Sequence, residues 1–394
     1  MRVGGKPPPP RVVAALGATQ IVSWGVLYYA FPVLALSIST DTGWSLSAIS
    51  GAFTVGLITA AVIGVPVGRM LDRRGPRTIM TGGSVLAAVA VAAIATAPSV
   101  GWFVAAWLLA GVSMAGTLYQ PAFAAITRWF PSSTRVRALT ALTLAGGLAS
   151  TVFAPLTAAL AGRFDWRGTY LVLAAILAAS TVPLHVVCLR RPWPTASHAP
   201  PSRSTSVVLT RPFILLTAAF TLSALALYSV VISLVPLLTI RGASLGVAAW
   251  VLGLGGLGQV LGRIGYGTLA RRVPVVPRTV GVLAAGGVTT ALLGAVAGPF
   301  GLLVAVAMVA GAVRGISTLL QATAVTERWG TVQYGTLSAA LGAPVTTAIA
   351  VAPWVSASLA TAIGGYPRLF GALTVVSFAA ATLAVLTRPK PDLR

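Results

Sequence analysis

Gly111–Trp129 reads GVSMAGTLYQPAFAAITRW, and Gly311–Trp329 reads GAVRGISTLLQATAVTERW. Both runs are apolar, open on glycine and close on Arg-Trp, and they lie 200 residues apart. The same offset pairs Tyr28 with Tyr228, and an offset of 201 pairs Arg77-Thr78 with Arg278-Thr279 and Arg167 with Arg368. Self-similarity at a fixed offset is the mark of a duplicated chain.

Working outward, the rest of the chain is built like these two runs. Of its 394 residues 57% are hydrophobic and 8% charged, against roughly 25% charged in soluble domains. Apolar runs of about 20 residues, each long enough to cross a bilayer as a helix, recur from Val12 to Thr387. We read twelve helices, at 12–38, 46–67, 78–97, 102–127, 138–160, 169–189, 213–238, 247–268, 279–297, 302–325, 336–360 and 369–387. Glycine and proline inside them are tolerated because neighbouring helices re-satisfy the backbone. The expected fold is an all-α membrane protein of twelve transmembrane helices in two pseudo-symmetric six-helix bundles. Parallel duplicated halves with a site near the midplane are a common build for secondary transporters.

The net charge of +22 would suggest nucleic acid in a soluble protein. Here the positive-inside rule accounts for it better. With the N-terminus inside, 22 Lys and Arg fall in cytoplasmic segments and four (Arg163, Arg167, Arg241, Arg368) in outer loops, with Arg314 inside a helix. The expected location is the cytoplasmic membrane, multi-pass, with both termini inside. The preference for Arg over Lys and for Ala, Gly and Val hints at a GC-rich bacterial genome. The single cysteine, Cys188, excludes a disulfide within the chain and reads as a small core residue. The basic, Pro-rich start runs into a full-length span with no small-residue cleavage site, so the first helix is read as uncleaved.

Residues 190–212, with four prolines before Pro212, read as a cytoplasmic linker between a first bundle at 1–189 and a second at 213–394. Asp41 to Ser45 is an outer turn, with Ser45 or Ser47 as N-cap of the second helix. Trp44, Trp102 and Trp166 fall at outer boundaries and Trp129, Trp193 and Trp329 at inner ones, the pattern of an interfacial aromatic belt.

Gly68-Arg-Met-Leu-Asp72-Arg73-Arg-Gly75-Pro-Arg77 lies between the second and third helices. It resembles the signature loop of the major facilitator superfamily. Gly68 is expected to allow close helix approach and Gly75 to supply a turn that other residues resist. The resemblance implies that Asp72 latches the halves, facing a helix N-terminus of the other half where the dipole favours an anion. The alternative is a solvated loop that only sets topology. The corresponding segment 267–278 has Arg271 where Asp72 would fall, so one latch of the pair is missing. Asp165-Trp-Arg-Gly168 resembles a sequence common before the sixth helix of the superfamily. Trp107 stands where the family's fourth-helix arginine would be, and Ser150, Ala154-Pro155 and Ala158-Ala159 only echo its antiporter motif. Both departures count against a proton–drug antiporter.

In the eighth helix, Gly262-Arg263-Ile264-Gly265-Tyr266-Gly267 resembles the pattern of bacterial oxalate–formate exchangers. It also resembles that of monocarboxylate transporters, with Gln259 in place of an aspartate. Arg128 to Leu139 looks like the aromatic-basic loop that opens the fifth helix in the latter. The resemblance implies that Arg263 binds a substrate carboxylate, a task suited to a guanidinium that stays charged and forks two hydrogen bonds. The exchangers' lysine in the eleventh helix has no counterpart. Arg263 is alternatively an end residue snorkelling to the surface.

Arg314 lies midway along the tenth helix, where a charge costs at least about 2.5–3.5 kcal/mol. The five acids (Asp41, Asp72, Asp165, Glu327, Asp392) lie at helix ends or in loops. Arg314 either meets an anionic substrate in a cavity or bonds carbonyls and hydroxyls of its neighbours. Without a buried acid, only His185 could titrate inside a span. A proton carried with substrate, anion exchange and downhill flow all remain open. Tyr28, Tyr29, Tyr119, Gln120 and Tyr228 are polar-tipped groups at mid-membrane depth, on helices that line the cavity in the family. As a set they suggest cavity lining, although any one of them could simply pack.

The reading is a secondary active transporter that alternates access to a small solute, an organic anion such as a monocarboxylate being favoured. The rival within the family is a drug or metabolite efflux permease. A membrane enzyme lacks clustered His, Cys or acid for metal or general-base chemistry. A receptor built on a transporter fold remains open, without a signalling domain beyond the spans. Expected partners are a small-molecule substrate, with a co-transported proton as one option, and the lipid bilayer. No cofactor, metal or nucleic acid is expected, and the chain is expected to be a monomer.

The charge distribution generates a topology test. In a background lacking Cys188, a Ser202→Cys variant should resist impermeant thiol reagents applied outside intact cells and react after permeabilisation. Labelling from outside would overturn the map.

Overall fold

The computed structural model describes residues 10–193, 207–330 and 334–387; most of the expected linker and Asp392 lie outside the described residues. Twelve helices are long and apolar enough to cross a membrane. They are α1 (Arg11–Thr42), α2 (Leu46–Arg74), α3 (Pro76–Ala95), α4 (Val100–Trp129), α5 (Arg137–Ala161) and α6 (Trp166–Cys188). The remainder are α7 (Arg211–Ile240), α8 (Leu245–Arg272), α9 (Val275–Ala295), α10 (Phe300–Trp329), α11 (Leu337–Ile363) and α12 (Tyr366–Val385). All twelve expected helices are present, most with ends moved by a few residues.

The largest shift is physical in origin. The signature segment is not a loop but the last two turns of α2, which runs on to Arg74. Arg69, Met70, Arg73 and Arg74 are good helix formers and stay exposed, while Leu71 is buried. Gly75 then ends the helix at φ +77°, its N–H donating to the Leu71 carbonyl. Pro76 restarts it as α3, because a proline at the first helical position loses no hydrogen bond. Ser45, Ser99, Asp165 and Ser244 each accept a backbone N–H three residues on and so start α2, α4, α6 and α8.

The chain divides into two compact units, 1–198 and 199–394. Inside each, the same helices pair. α2 packs on α4, α3 on α6 and α1 on α5 in the first unit; α8 packs on α10, α9 on α12 and α7 on α11 in the second. The duplication read from sequence is therefore also a duplication of packing.

The tightest pairs are α2–α4 and α8–α10, and glycine makes them so. A Cβ at Gly111 would overlap the Gly56 carbonyl; one at Gly311 would overlap the Gly255 carbonyl. Gly258, Gly262 and Gly315 are equally closed in by the carbonyls of Met308, Ala312 and Gln259. Small residues that let helix backbones touch are the usual glue of membrane helices. Gly68 does not belong to this set, contrary to expectation, since a Cβ there would meet nothing within 4 Å.

Aromatic residues fill the first unit. Phe31 stacks on Phe53 with centroids 4.2 Å apart, and Trp107 meets both edge-on. Trp107, standing where the family has an arginine, is thus core. Trp166 also leaves the expected belt. It is buried and donates its indole N–H to Asp41 Oδ2 at 2.8 Å, with the Arg167 guanidinium over its ring. Arg167 caps the C-terminal carbonyls of α3. Arg241 does the same for α9, and burial holds its guanidinium below the ordinary arginine range.

Gly311→Ala is expected to lower stability by about 1–3 kcal/mol, the usual cost of overpacking. Gly281→Ala, at a site with open space, is expected to leave the melting temperature in detergent unchanged. Equal effects would mean the seam is not close-packed.

Candidate functional site

The seam between α8 and α10 sets the position of the one arginine buried mid-helix. Gly311 and Gly315 bring the α10 backbone onto α8 at Gln259, and Arg314 lies between those two glycines. Its Nη2 donates to Gln259 Oε1 at 3.2 Å. Its Nε is buried without a hydrogen-bond partner, and the residue is 8% exposed. Each described acid is engaged elsewhere: Asp41 with Trp166, Asp72 with Arg128, Asp165 with the Gly168 N–H and Glu327 with Arg278. A neutral amide is what holds this cation, so its charge is not compensated by an acid among the described residues.

Arg314 lines a cavity of ≈ 20 Å³ with Leu227, Val231, Leu252, Thr289 and Thr290. That is room for about one water. Both threonine hydroxyls turn back to carbonyls of their own helix, so the guanidinium dominates the polarity there. A larger pocket of ≈ 230 Å³ opens one to three turns further along α10, lined by Thr318, Gln321, Ala322, Val325, Ser338 and Leu341. Arg263, four residues beyond Gln259, is half-buried on α8 and lines neither cavity.

Charge pairs mark the corresponding ends of both units, with opposite polarity. In the first, Asp72 on α2 accepts from Arg128 at the end of α4. Trp193 covers the pair: Arg128 lies 4.5 Å from its ring centre, its indole N–H donates to the Asp72 carbonyl at 3.0 Å, and it packs on Gly75. Trp129 donates to the Pro192 carbonyl, and Arg77 to the Val186 carbonyl. Arg73 is exposed. In the second unit, Arg278 on α9 donates to Glu327 on α10, two backbone carbonyls and the face of Tyr266. Arg328, the counterpart of Arg128, donates to Thr279 instead. The second unit therefore carries an ion pair of its own, with the acid on α10 and the arginine on α9, while Arg271 stands where Asp72 would fall.

The tyrosines form a separate group. Gly25–Tyr29 is a π-helical turn inside α1, a distortion often found at functional sites. Tyr28 is buried against Trp24, Tyr29 and Phe53. Trp24 also meets Tyr119, at 5.3 Å, and keeps its buried indole N–H without a hydrogen-bond partner. Gln120 is exposed and Tyr228 half-buried. His185 is buried on α6 with Nδ1 at 2.8 Å from Ser84 Oγ.

A sequence model of the Major Facilitator Superfamily matches residues 16–325. The chain belongs to the Major Facilitator Superfamily. It is 31% identical over 227 residues to Monocarboxylate transporter 13 of Rattus norvegicus, covering 55% of this chain and 51% of that protein. The bovine protein of that name matches equally, and an uncharacterized MFS-type transporter, YcxA, of Bacillus subtilis is 28% identical over 147 residues. The chain spans about half the length of the curated relatives it matches. Among solved structures, a bacterial homologue of the human lysosomal transporter Spinster superposes with a TM-score of 0.73 at 17% identity, covering 99% of this chain and 100% of that one. A mutant of the nucleoside transporter NupG gives a TM-score of 0.74 at 13% identity, covering 96% and 100%. These likenesses show the fold.

Within this major facilitator, the structure joins Arg314 to Gln259 and leaves Arg263 off the cavity that Arg314 lines. Sequence reading missed Thr318, Gln321 and Ser338. The first two were detectable, since they follow Arg314 at four and seven residues and so share its helix face.

The two charge pairs should differ in stability. Asp72→Asn removes an exposed pair, worth about 0–1 kcal/mol. Glu327→Gln leaves Arg278, whose side chain is 2% exposed, without its acid and should cost roughly 2–3 kcal/mol. Thermal unfolding of both variants checks this; equal loss would contradict the burial difference.

Proposed function

We propose that this transporter moves a small organic anion, such as a monocarboxylate, across the cytoplasmic membrane by alternating access of its two halves. The observation that carries the reading is Arg314, a buried cation held by a neutral amide while every described acid is paired elsewhere. An arriving carboxylate would replace its own lost hydration with charge-assisted hydrogen bonds and would supply the missing counter-charge. A hydrophobic cation would be repelled. The names of the relatives matched over half the chain favour the same solute class.

In this reading Arg314 is the anion anchor and Gln259 orients it. Arg263, Tyr28, Tyr119, Gln120 and Tyr228 are further candidate contacts. Gly68, Asp72, Arg73, Gly75 and Arg77 form a conformational latch, for which the match to the family's signature segment and the left-handed turn at Gly75 are the support; in this structure Asp72 is held by Arg128 and Trp193 of its own unit. Both termini and the segment 190–212 face the cytoplasm, as the distribution of basic residues favours. The coupling proton, if one is carried, travels with the substrate.

The test is binding of a carboxylate and its amide to wild type and variants. Arg314→Gln should weaken the acid at least about tenfold, the scale of a charge-assisted bond. Arg314→Lys, which keeps the charge and loses the fork, should fall between. Gln259→Glu should abolish acid binding by giving Arg314 a permanent carboxylate. Equal affinity of wild type for acid and amide would sink the anion reading and promote the drug or metabolite efflux permease.

A further inference from the structure

We infer that the ≈ 230 Å³ pocket one to three turns beyond Arg314 along α10 is a second subsite of the anion site, for an uncharged hydrogen-bonding group at the far end of the substrate. The inference rests on Arg314 as the anion anchor and extends it from a charge to a length and a tail.

Thr318 and Gln321 follow Arg314 by four and seven residues on α10, which places them on its face about 6 and 10 Å along the helix axis. Ser338 on α11 completes the polar wall. Among the described residues neither Gln321 nor Ser338 spends its side chain on a hydrogen bond, and Thr318 donates to the Arg314 carbonyl, leaving its oxygen free to accept. An amide offers both donor and acceptor, and a hydroxyl does too. None of the described lining residues is charged, and Ala322, Val325 and Leu341 supply the aliphatic part of the lining. That chemistry suits a hydroxyl or carboxamide on a short methylene stem and offers no charged partner to a second ionised group.

A two- or three-carbon acid held at Arg314 would leave this pocket to water. A carboxylate with about five methylenes would reach it. The geometry therefore selects ω-hydroxy or ω-carboxamide acids of about six carbons over unsubstituted acids of the same length.

Isothermal titration of the purified full chain with hexanoate, its ω-hydroxy derivative, the monoamide of adipic acid and hexanamide tests this. Wild type should bind the two ω-substituted acids about fivefold tighter than hexanoate, the worth of one neutral hydrogen bond. Gln321→Leu should erase that preference while keeping hexanoate affinity equal or tighter, and Ser338→Ala should reduce it. Equal affinity of wild type for hexanoate and its ω-derivatives, with hexanamide much weaker, overturns the subsite and leaves the anion anchor standing. A preference that survives Gln321→Leu also overturns it; should that variant not fold, Ser338→Ala and the wild-type series decide. Equal affinity for hexanoate and hexanamide, or no binding of any of the four, overturns the anchor and the subsite together.

Discussion

Two helices that touch backbone to backbone place a guanidinium where none of the described carboxylates reaches it. Gly255, Gly258, Gly262, Gly311 and Gly315 remove the side chains that would hold α8 and α10 apart. The gap they close is the distance over which Arg314 meets Gln259. Were the seam wider, Arg314 would lose its amide and be left as a bare charge in a medium that penalises it by several kcal/mol. The site chemistry therefore depends on packing set by glycines that carry no side chain of their own.

The same logic explains why a glutamine suits that position. An acid there would neutralise Arg314 within the protein and leave nothing for a solute to satisfy. An aliphatic residue would leave the guanidinium without a protein acceptor when the site is empty. The amide oxygen satisfies one donor and adds no charge, which keeps the cation both tolerable and available.

How much of this was legible follows from the range of each interaction. The spans and the duplication are local patterns, a length of apolar chain and a fixed offset, and both survive folding unchanged. The end of α2 was misplaced because Arg69, Arg73 and Arg74 read as a polar loop, although arginine is a good helix former and only Gly75 interrupts the backbone. The Arg278–Glu327 pair escaped the reading, because its partners lie 49 residues apart on different helices and no local pattern links them. Trp166 and Trp193 sit at helix boundaries as the belt requires, yet each is taken up by an acid-bearing neighbour: Trp166 by the Asp41 side chain, Trp193 by the Asp72 backbone. Gln259 carried no one-dimensional sign of its partner, which lies 55 residues on.

What separates the two halves is as informative as what they share. Gly111 and Gly311 keep the same close seam in both units, so the duplicated scaffold has been held constant. Three residues on, the first unit has Met114, buried and apolar, where the second has Arg314. Thr318 and Gln321 likewise correspond to Leu118 and Pro121 at the offset of 200. The first unit instead concentrates aromatic rings around a π-helical turn in α1, which can stack or bend but cannot neutralise a charge. A duplicated pair of bundles needs only one fixed cation to hold an anion, and a second at the symmetric depth would double the desolvation cost without adding a ligand group. The asymmetry thus puts the buried cation on one unit and the aromatic cluster on the other.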